Sequence, residues 1–244
     1  MEVKYTDAHC HAHEFEESEL ARYAETFAAI VAVSDDLESS IRTVRLAERF
    51  GYLVPCVGIH PWSLKALGRV DEELRELERL VVERGVRCLG EVGLDLAFTP
   101  ETYDAQLSLF RRLLEIARDH DLALNLHTAK AWRQALEEVS RYGIRRALFH
   151  WYTGPPDVLS EIVARGYLVS INPTVRVSEK HREVARRVAL ACLAFESDGP
   201  YQYRGLYLTP DLIPETVRFV AEVRGVEPAE LVAAAQENLE RLLG

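Results

Sequence analysis

Short apolar runs alternate along the chain with longer amphipathic stretches. Eight of these runs read as strands: Val3–Asp7, Ala28–Val33, Leu53–Gly58, Arg87–Glu91, Leu122–His127, Arg146–His150, Tyr167–Ile171 and Leu193–Asp198. Helical stretches lie between them, among them Asp71–Arg84 and Glu101–His120. In the latter, Leu107, Phe110, Leu114 and Ala117 share one helical face at three- and four-residue spacing. Pro100, with Thr99 as its cap, marks that helix's start. The tail from Pro228 to Gly244 carries Leu231, Ala234, Ala235, Leu239 and Leu242 at helical spacing and reads as a closing helix.

Strands that alternate with helices imply right-handed crossovers and a parallel sheet. Eight such units close into an α/β barrel of the TIM type, although a doubly wound open sheet gives a similar pattern. The expected fold is therefore a single (β/α)8 barrel over residues 1–244, with room for slight distortion and an added C-terminal helix. At 244 residues the chain matches one such barrel, a fold of about 250 residues. No linker or repeat divides it.

Composition narrows the function classes. Apolar residues make up 48%, enough for a large core, yet no run is long enough for a membrane span. The N-terminus lacks an apolar signal core, so a cytoplasmic protein is expected. A net charge of −10 argues against charge-driven binding along duplex nucleic acid. It leaves open an enzyme that acts on a strand end, since bound cations supply local positive charge. Cys10, Cys56, Cys88 and Cys192 form no C-x-x-C pair and read as buried reduced thiols.

The strand exits carry the candidate chemistry. In Asp7-Ala8-His9-Cys10-His11, an extended backbone points His9 and His11 to one face and Cys10 to the other. Glu91, His127, His150 and Asp198 are expected at the ends of the fourth, fifth, sixth and eighth strands. In a barrel all of these converge on one mouth. A mixed imidazole and carboxylate set without cysteine fits an open catalytic metal site better than a closed structural zinc site. His13, His120 and His181 lack such a setting and read as surface residues.

The ordered motifs DAHCH at 7–11, GIHPW at 58–62, GEVGLD at 90–95, LHT at 126–128, HWYTG at 150–154, ESDGPY at 196–201 and NLERLLG at 238–244 resemble the TatD-related metal-dependent hydrolases. These are TatD-type deoxyribonucleases within the amidohydrolase-like barrels. The resemblance implies two divalent ions, with magnesium, manganese and zinc all admissible. His9, His11 and Asp198 would hold the first, His127 and His150 the second, with Glu91 bridging. Such a pair, about 3.5–4 Å apart, activates water and stabilises both oxygens of a displacement. Asp198 would be the general base and Glu91 a shared catalytic carboxylate. His60 would face the substrate to contact phosphate or move a proton, and Asp95 would orient a neighbouring ligand.

The chain departs from the family pattern at Ala129, where many members carry an arginine. Lys130 stands beside it as a point charge of different geometry. Trp151 and Tyr152 are candidates for base stacking and Arg204 for an anion contact. The leading expectation is a 3′–5′ exonuclease on single-stranded DNA ends. Hydrolysis of an amide, ester or lactone of a small molecule, and a non-catalytic metal-bound scaffold, stay open. Oligomeric state is left open as well.

Overall fold

The computed structural model describes residues 4–66 and 69–244. Its strands are β1 (Tyr5–Cys10), β2 (Phe27–Ala32), β3 (Leu53–Val57), β4 (Cys88–Gly93), β5 (Ala123–His127), β6 (Ala147–Phe149), β7 (Leu168–Ile171) and β8 (Leu193–Phe195). They pair in parallel in chain order. The His11 N–H donates to the Gly199 carbonyl (2.8 Å) and the Asp198 N–H to the His9 carbonyl (3.0 Å), which joins the exits of β1 and β8. The sheet thus curls into the expected barrel, nearly closed. Val3, the expected first residue of β1, lies outside the described residues.

The helices α1 (Glu17–Thr26), α2 (Leu37–Arg49), α3 (Val70–Arg84), α4 (Tyr103–Asp119), α5 (Trp132–Arg141), α6 (Pro156–Ala164), α7 (Glu179–Arg187) and α8 (Ile213–Arg224) follow the strands. Leu109, Phe110, Leu113, Leu114 and Ala117 are the buried apolar face of α4, as its periodicity requires. Thr99 does not cap this helix. A 3-10 turn at Pro100–Thr102 precedes it, and the Gln106 amide donates to the Thr99 carbonyl (2.7 Å). A short antiparallel hairpin, β9 (Tyr201–Tyr203) and β10 (Leu206–Leu208), follows β8 and had no counterpart in the sequence pattern.

Helix α9 (Pro228–Leu243) covers the end of the barrel where the strands begin. Its Leu239 and Leu242 pack with Ala8, Val31, Ala123, Leu148 and Ala194 from the strands. The Asn238 amide donates to the carbonyls of Leu190 and Leu193, both at 2.8 Å, at the entry to β8. Among the described residues no helix is long and apolar enough to cross a membrane.

One expectation about the thiols fails. Cys56 and Cys88 stand opposite each other in the β3/β4 register and are joined by a disulfide. Parallel pairing brings together two cysteines 32 residues apart. Cys10 and Cys192 are buried free thiols.

Candidate metal centre

At the opposite end of the barrel the strand exits bring His9, His11, Glu91, His127, His150 and Asp198 together. His9 Nε2 lies 3.4 Å from Glu91 Oε2 and 3.3 Å from Asp198 Oδ1. His11 Nε2 lies 3.4 and 3.6 Å from the same two oxygens. His150 Nε2 is 3.3 Å and His127 Nδ1 2.6 Å from Glu91 Oε1. Both oxygens of one glutamate are thus shared among four imidazoles, as a bridging carboxylate requires.

Local backbone explains this aim. His9 and His11 are two apart at the end of β1 and face the same side. Glu91 lies within β4, not at its exit. A register irregularity between Leu89 and Val92 accompanies its position there. Asp198 sits three residues beyond β8 with φ of 54°. That left-handed conformation is tolerated by aspartate. Gly93, with φ of 149°, lets β4 touch β5: a Cβ there would lie 1.9 Å from the His127 carbonyl oxygen.

Groups behind the imidazoles orient them. His9 Nδ1 is 2.7 Å from Asn125 Oδ1, and the Asn125 amide in turn donates to the Ala8 carbonyl (2.7 Å). His127 Nε2 is 2.8 Å from Asp95 Oδ2, which also accepts the Trp62 indole N–H at 2.6 Å. His150 Nδ1 is 3.3 Å from Glu196. An acceptor on one nitrogen places a hydrogen there and turns the other nitrogen toward the cluster. Asp95 also accepts the N–H groups of Ala97 and Phe98, so it shapes its turn as well.

The charges are mutually dependent. Burial opposes ionisation of Glu91, but the surrounding histidines outweigh it and hold its carboxyl well below the usual range. Asp198 is held low in the same way by His11 and His9. Burial would lower His127, yet Asp95 and Glu91 raise it to about 9. Asp7 is pushed up to about 7 by burial, against the N–H groups of Ser197 and His9 that it accepts.

This donor set fits divalent cations. His9, His11 and His150 face carboxylate oxygens at 3.3–3.6 Å, too far for good hydrogen bonds but close to the spacing of two ligands on one ion, whereas His127 Nδ1 makes a short contact of 2.6 Å with Glu91 Oε1. Candidate ligand triads here are His9–His150–Asp198, His9–His11–Glu91 and His60–Glu91–His127.

His60 enters the cluster itself. Its Nε2 lies 3.3 Å from Glu91 Oε1 and 3.1 Å from His127 Nδ1. Its Nδ1 accepts the Trp62 backbone N–H at 3.1 Å, so the neutral ring carries its hydrogen on Nε2. Burial lowers its pKa.

The rim departs from expectation. Tyr152 is fully buried and its hydroxyl donates to the Pro155 carbonyl (2.7 Å), which removes it from any substrate surface. Trp151, next in the chain, faces the mouth, with its ring centroid 6.3 Å from His150 and 5.1 Å from Tyr203. Its φ of 41° is strained for a bulky side chain. Lys130 is exposed beside β5, and Arg204 is exposed at the tip of the β9–β10 hairpin over the Tyr203 ring.

Two of the three histidines expected at the surface are not there. His181 is fully buried, bonded to Thr174 and the Ser170 carbonyl. His13 is mostly covered and lies 3.2 Å from Asp35. His120 is half-buried against Glu78. The sequence reading missed Asp35, Asn125 and Glu196 altogether. Glu196 stood inside the quoted ESDGPY motif. Asn125 preceded the LHT motif by one residue and had the inward parity of His127.

Known proteins resemble this chain along nearly its whole length. The family model described as "TatD related DNase" matches residues 6–244. The human "Deoxyribonuclease TATDN3" is 27% identical, with 98% of this chain and 94% of that protein covered. An "Uncharacterized metal-dependent hydrolase TatD" of Mycobacterium tuberculosis is 30% identical over 88% of this chain and 86% of its own length. The crystal structure of the TatD homologue YJJV from Escherichia coli K12 superposes with a TM-score of 0.90 at 25% identity, covering 100% of this chain and 99% of that one. The chain belongs to the TatD-related DNase family.

Proposed function

We propose that this metal-dependent hydrolase cleaves phosphodiester bonds and removes nucleotides from the 3′ end of single-stranded DNA, with two divalent ions at the barrel mouth. One observation carries the reading most. His9, His11, His127 and His150 turn one nitrogen each onto the shared carboxylate Glu91, and Asp198 closes the set beside His9 and His11. The deoxyribonuclease name of the human relative supports the substrate class.

Magnesium, manganese or zinc held there would supply the positive charge that acidifies a water and stabilises charge on the transferred phosphoryl group. The chain's own residues do the rest. Asp198, kept anionic by His11 and His9, accepts the proton of the attacking water. His60 holds a hydrogen at Nε2, where it donates to a phosphate oxygen or the departing group. Trp151 and Tyr203 offer faces on which an unpaired base stacks. With Ala129 in place of an arginine, Lys130 and Arg204 are the candidate phosphate contacts at the rim.

Purified protein with magnesium or manganese is expected to shorten labelled single-stranded DNA stepwise from its 3′ end. His150→Ala and Asp198→Ala should each abolish this and lower metal content. Undiminished cleavage in both variants, with metal content unchanged, contradicts the assignment. The sparse cations at the rim also favour a second reading, hydrolysis of a small amide, ester or lactone. A substrate panel separates the two: turnover confined to carbonyl compounds replaces the nuclease reading.

A further inference from the structure

A second group of ligand-type side chains meets beside the mouth. The turn after β1 carries His11, His13 and Glu14, and the segment after β2 carries Asp35. Their ligand atoms lie within 4.8 Å of one another.

His13 Nδ1 lies 3.2 Å from the Val33 carbonyl oxygen. A carbonyl only accepts, so this nitrogen carries the hydrogen and Nε2 of the neutral ring is bare. Nε2 faces Asp35 Oδ2 at 3.2 Å and Glu14 Oε1 at 4.0 Å. Three electron-rich atoms therefore face one another, a contact that repels unless a proton or a cation stands between them. On the inner edge, His11 Nδ1 is buried without a hydrogen-bond partner, 3.4 Å from Asp35 Oδ1.

Two features favour a cation over a proton. The backing of His13 by an acceptor resembles the way His9, His127 and His150 are backed, with the other nitrogen aimed at carboxylates. The 3.2 Å between His13 and Asp35 is also close to the spacing of two ligands on one ion. Two ligands about 2.1 Å from one tetrahedral ion stand about 3.4 Å apart. The group is open to solvent, with side-chain exposures of 11% for His13, 29% for Asp35 and 50% for Glu14.

We propose a third divalent-cation position, outside the pair at the mouth, formed by His13 Nε2, Asp35 Oδ2 and Glu14. One imidazole with two carboxylates suits zinc or manganese. Asp35 links it to the inner cluster, because its other oxygen faces His11. Filling the outer position draws the Asp35 charge away from His11, so the outer ion and the ion on His11 influence each other's binding. The proposal stands apart from the reaction assigned above.

The test needs no substrate. Protein saturated with zinc is crystallised for anomalous diffraction, and its bound metal is counted by elemental analysis after free ions are removed. The expected result is an anomalous peak between His13 and Asp35, and one ion fewer per chain in His13→Ala. Glu14→Gln, at an exposed position, should weaken the outer ion about tenfold. Asp198→Ala, as a control, should empty the inner cluster and keep the outer peak. No peak beside His13 at saturating zinc, or equal metal content in His13→Ala and wild type, overturns the proposal and leaves His13 as a plain contact of Asp35. Unchanged inner occupancy in Asp198→Ala counts against the mouth ligands alone.

Discussion

Where the strands begin, Leu239 and Leu242 of α9 press on small apolar residues such as Ala8, Ala123 and Ala194. Where the strands end, five imidazoles crowd around Glu91, with Asp198 beside two of them. The same strands feed both ends: Ala8 of β1 packs into the apolar plug, while His9 of β1 and His11 just beyond it point into the donor cluster. The plug is an apolar contact satisfied within the chain. The donor cluster is a set of bare nitrogens and buried carboxylates that balances best around bound cations. Stability is therefore expected to concentrate at one end and chemistry at the other.

The largest effect should separate the ends by function. Asp198→Asn is expected to lower cleavage about a thousandfold with little change in melting temperature. Leu239→Ala should leave kcat/KM near wild type. Denaturant titration of Leu239→Ala should in turn show a loss of about 2–4 kcal/mol, the cost of a buried leucine truncated against a packed surface. A loss of activity that tracks this loss of stability would erase the division between the two ends.

His181 sharpens the comparison, because it is a buried histidine with no place in the donor cluster. Burial pushes its pKa from 6.5 to about 4. The folded value lies below the unfolded one, so as pH falls the unfolded chain takes the proton first. Stability is then lost from about pH 6.5 down to about 4, by about 3 kcal/mol in all. His181→Asn should flatten this acid limb in a stability-against-pH profile. An unchanged acid limb in the variant would show that His181 does not titrate in this way.

Trp151→Ala should give the smallest effect, a rise in KM of about tenfold for single-stranded oligonucleotides with kcat nearly unchanged. Steady-state kinetics on DNA, beside a small phosphodiester without bases, reads this directly. An equal rise for both substrates would argue against stacking.

Much of the architecture was legible in the chain because its signals are local. The period of apolar positions marked the strands, and DAHCH placed two histidines on one face of an extended segment. What was illegible depended on distant partners. Asn125, Asp35 and Glu196 are single polar residues whose meaning comes from the imidazole each one faces. His181 sits in the strongly charged stretch EKHREVARR, yet it falls on the inward face of α7 with Val184 and Ala185. Trp151 and Tyr152 are adjacent aromatics, and only the turn after β6 decides that one faces the mouth and the other the core. Cys56 and Cys88 needed the strand register to show that they pair.

Glu91 is the residue on which the mouth converges, and one paired assay tests its role. Wild type and Glu91→Gln, both folded and supplied with manganese, are compared for release of nucleotides from 3′-end-labelled single-stranded DNA. The expected result is progressive shortening by wild type and a fall of at least about a thousandfold in Glu91→Gln. Cleavage by Glu91→Gln at the wild-type rate would contradict the metal centre as the site of the chemistry.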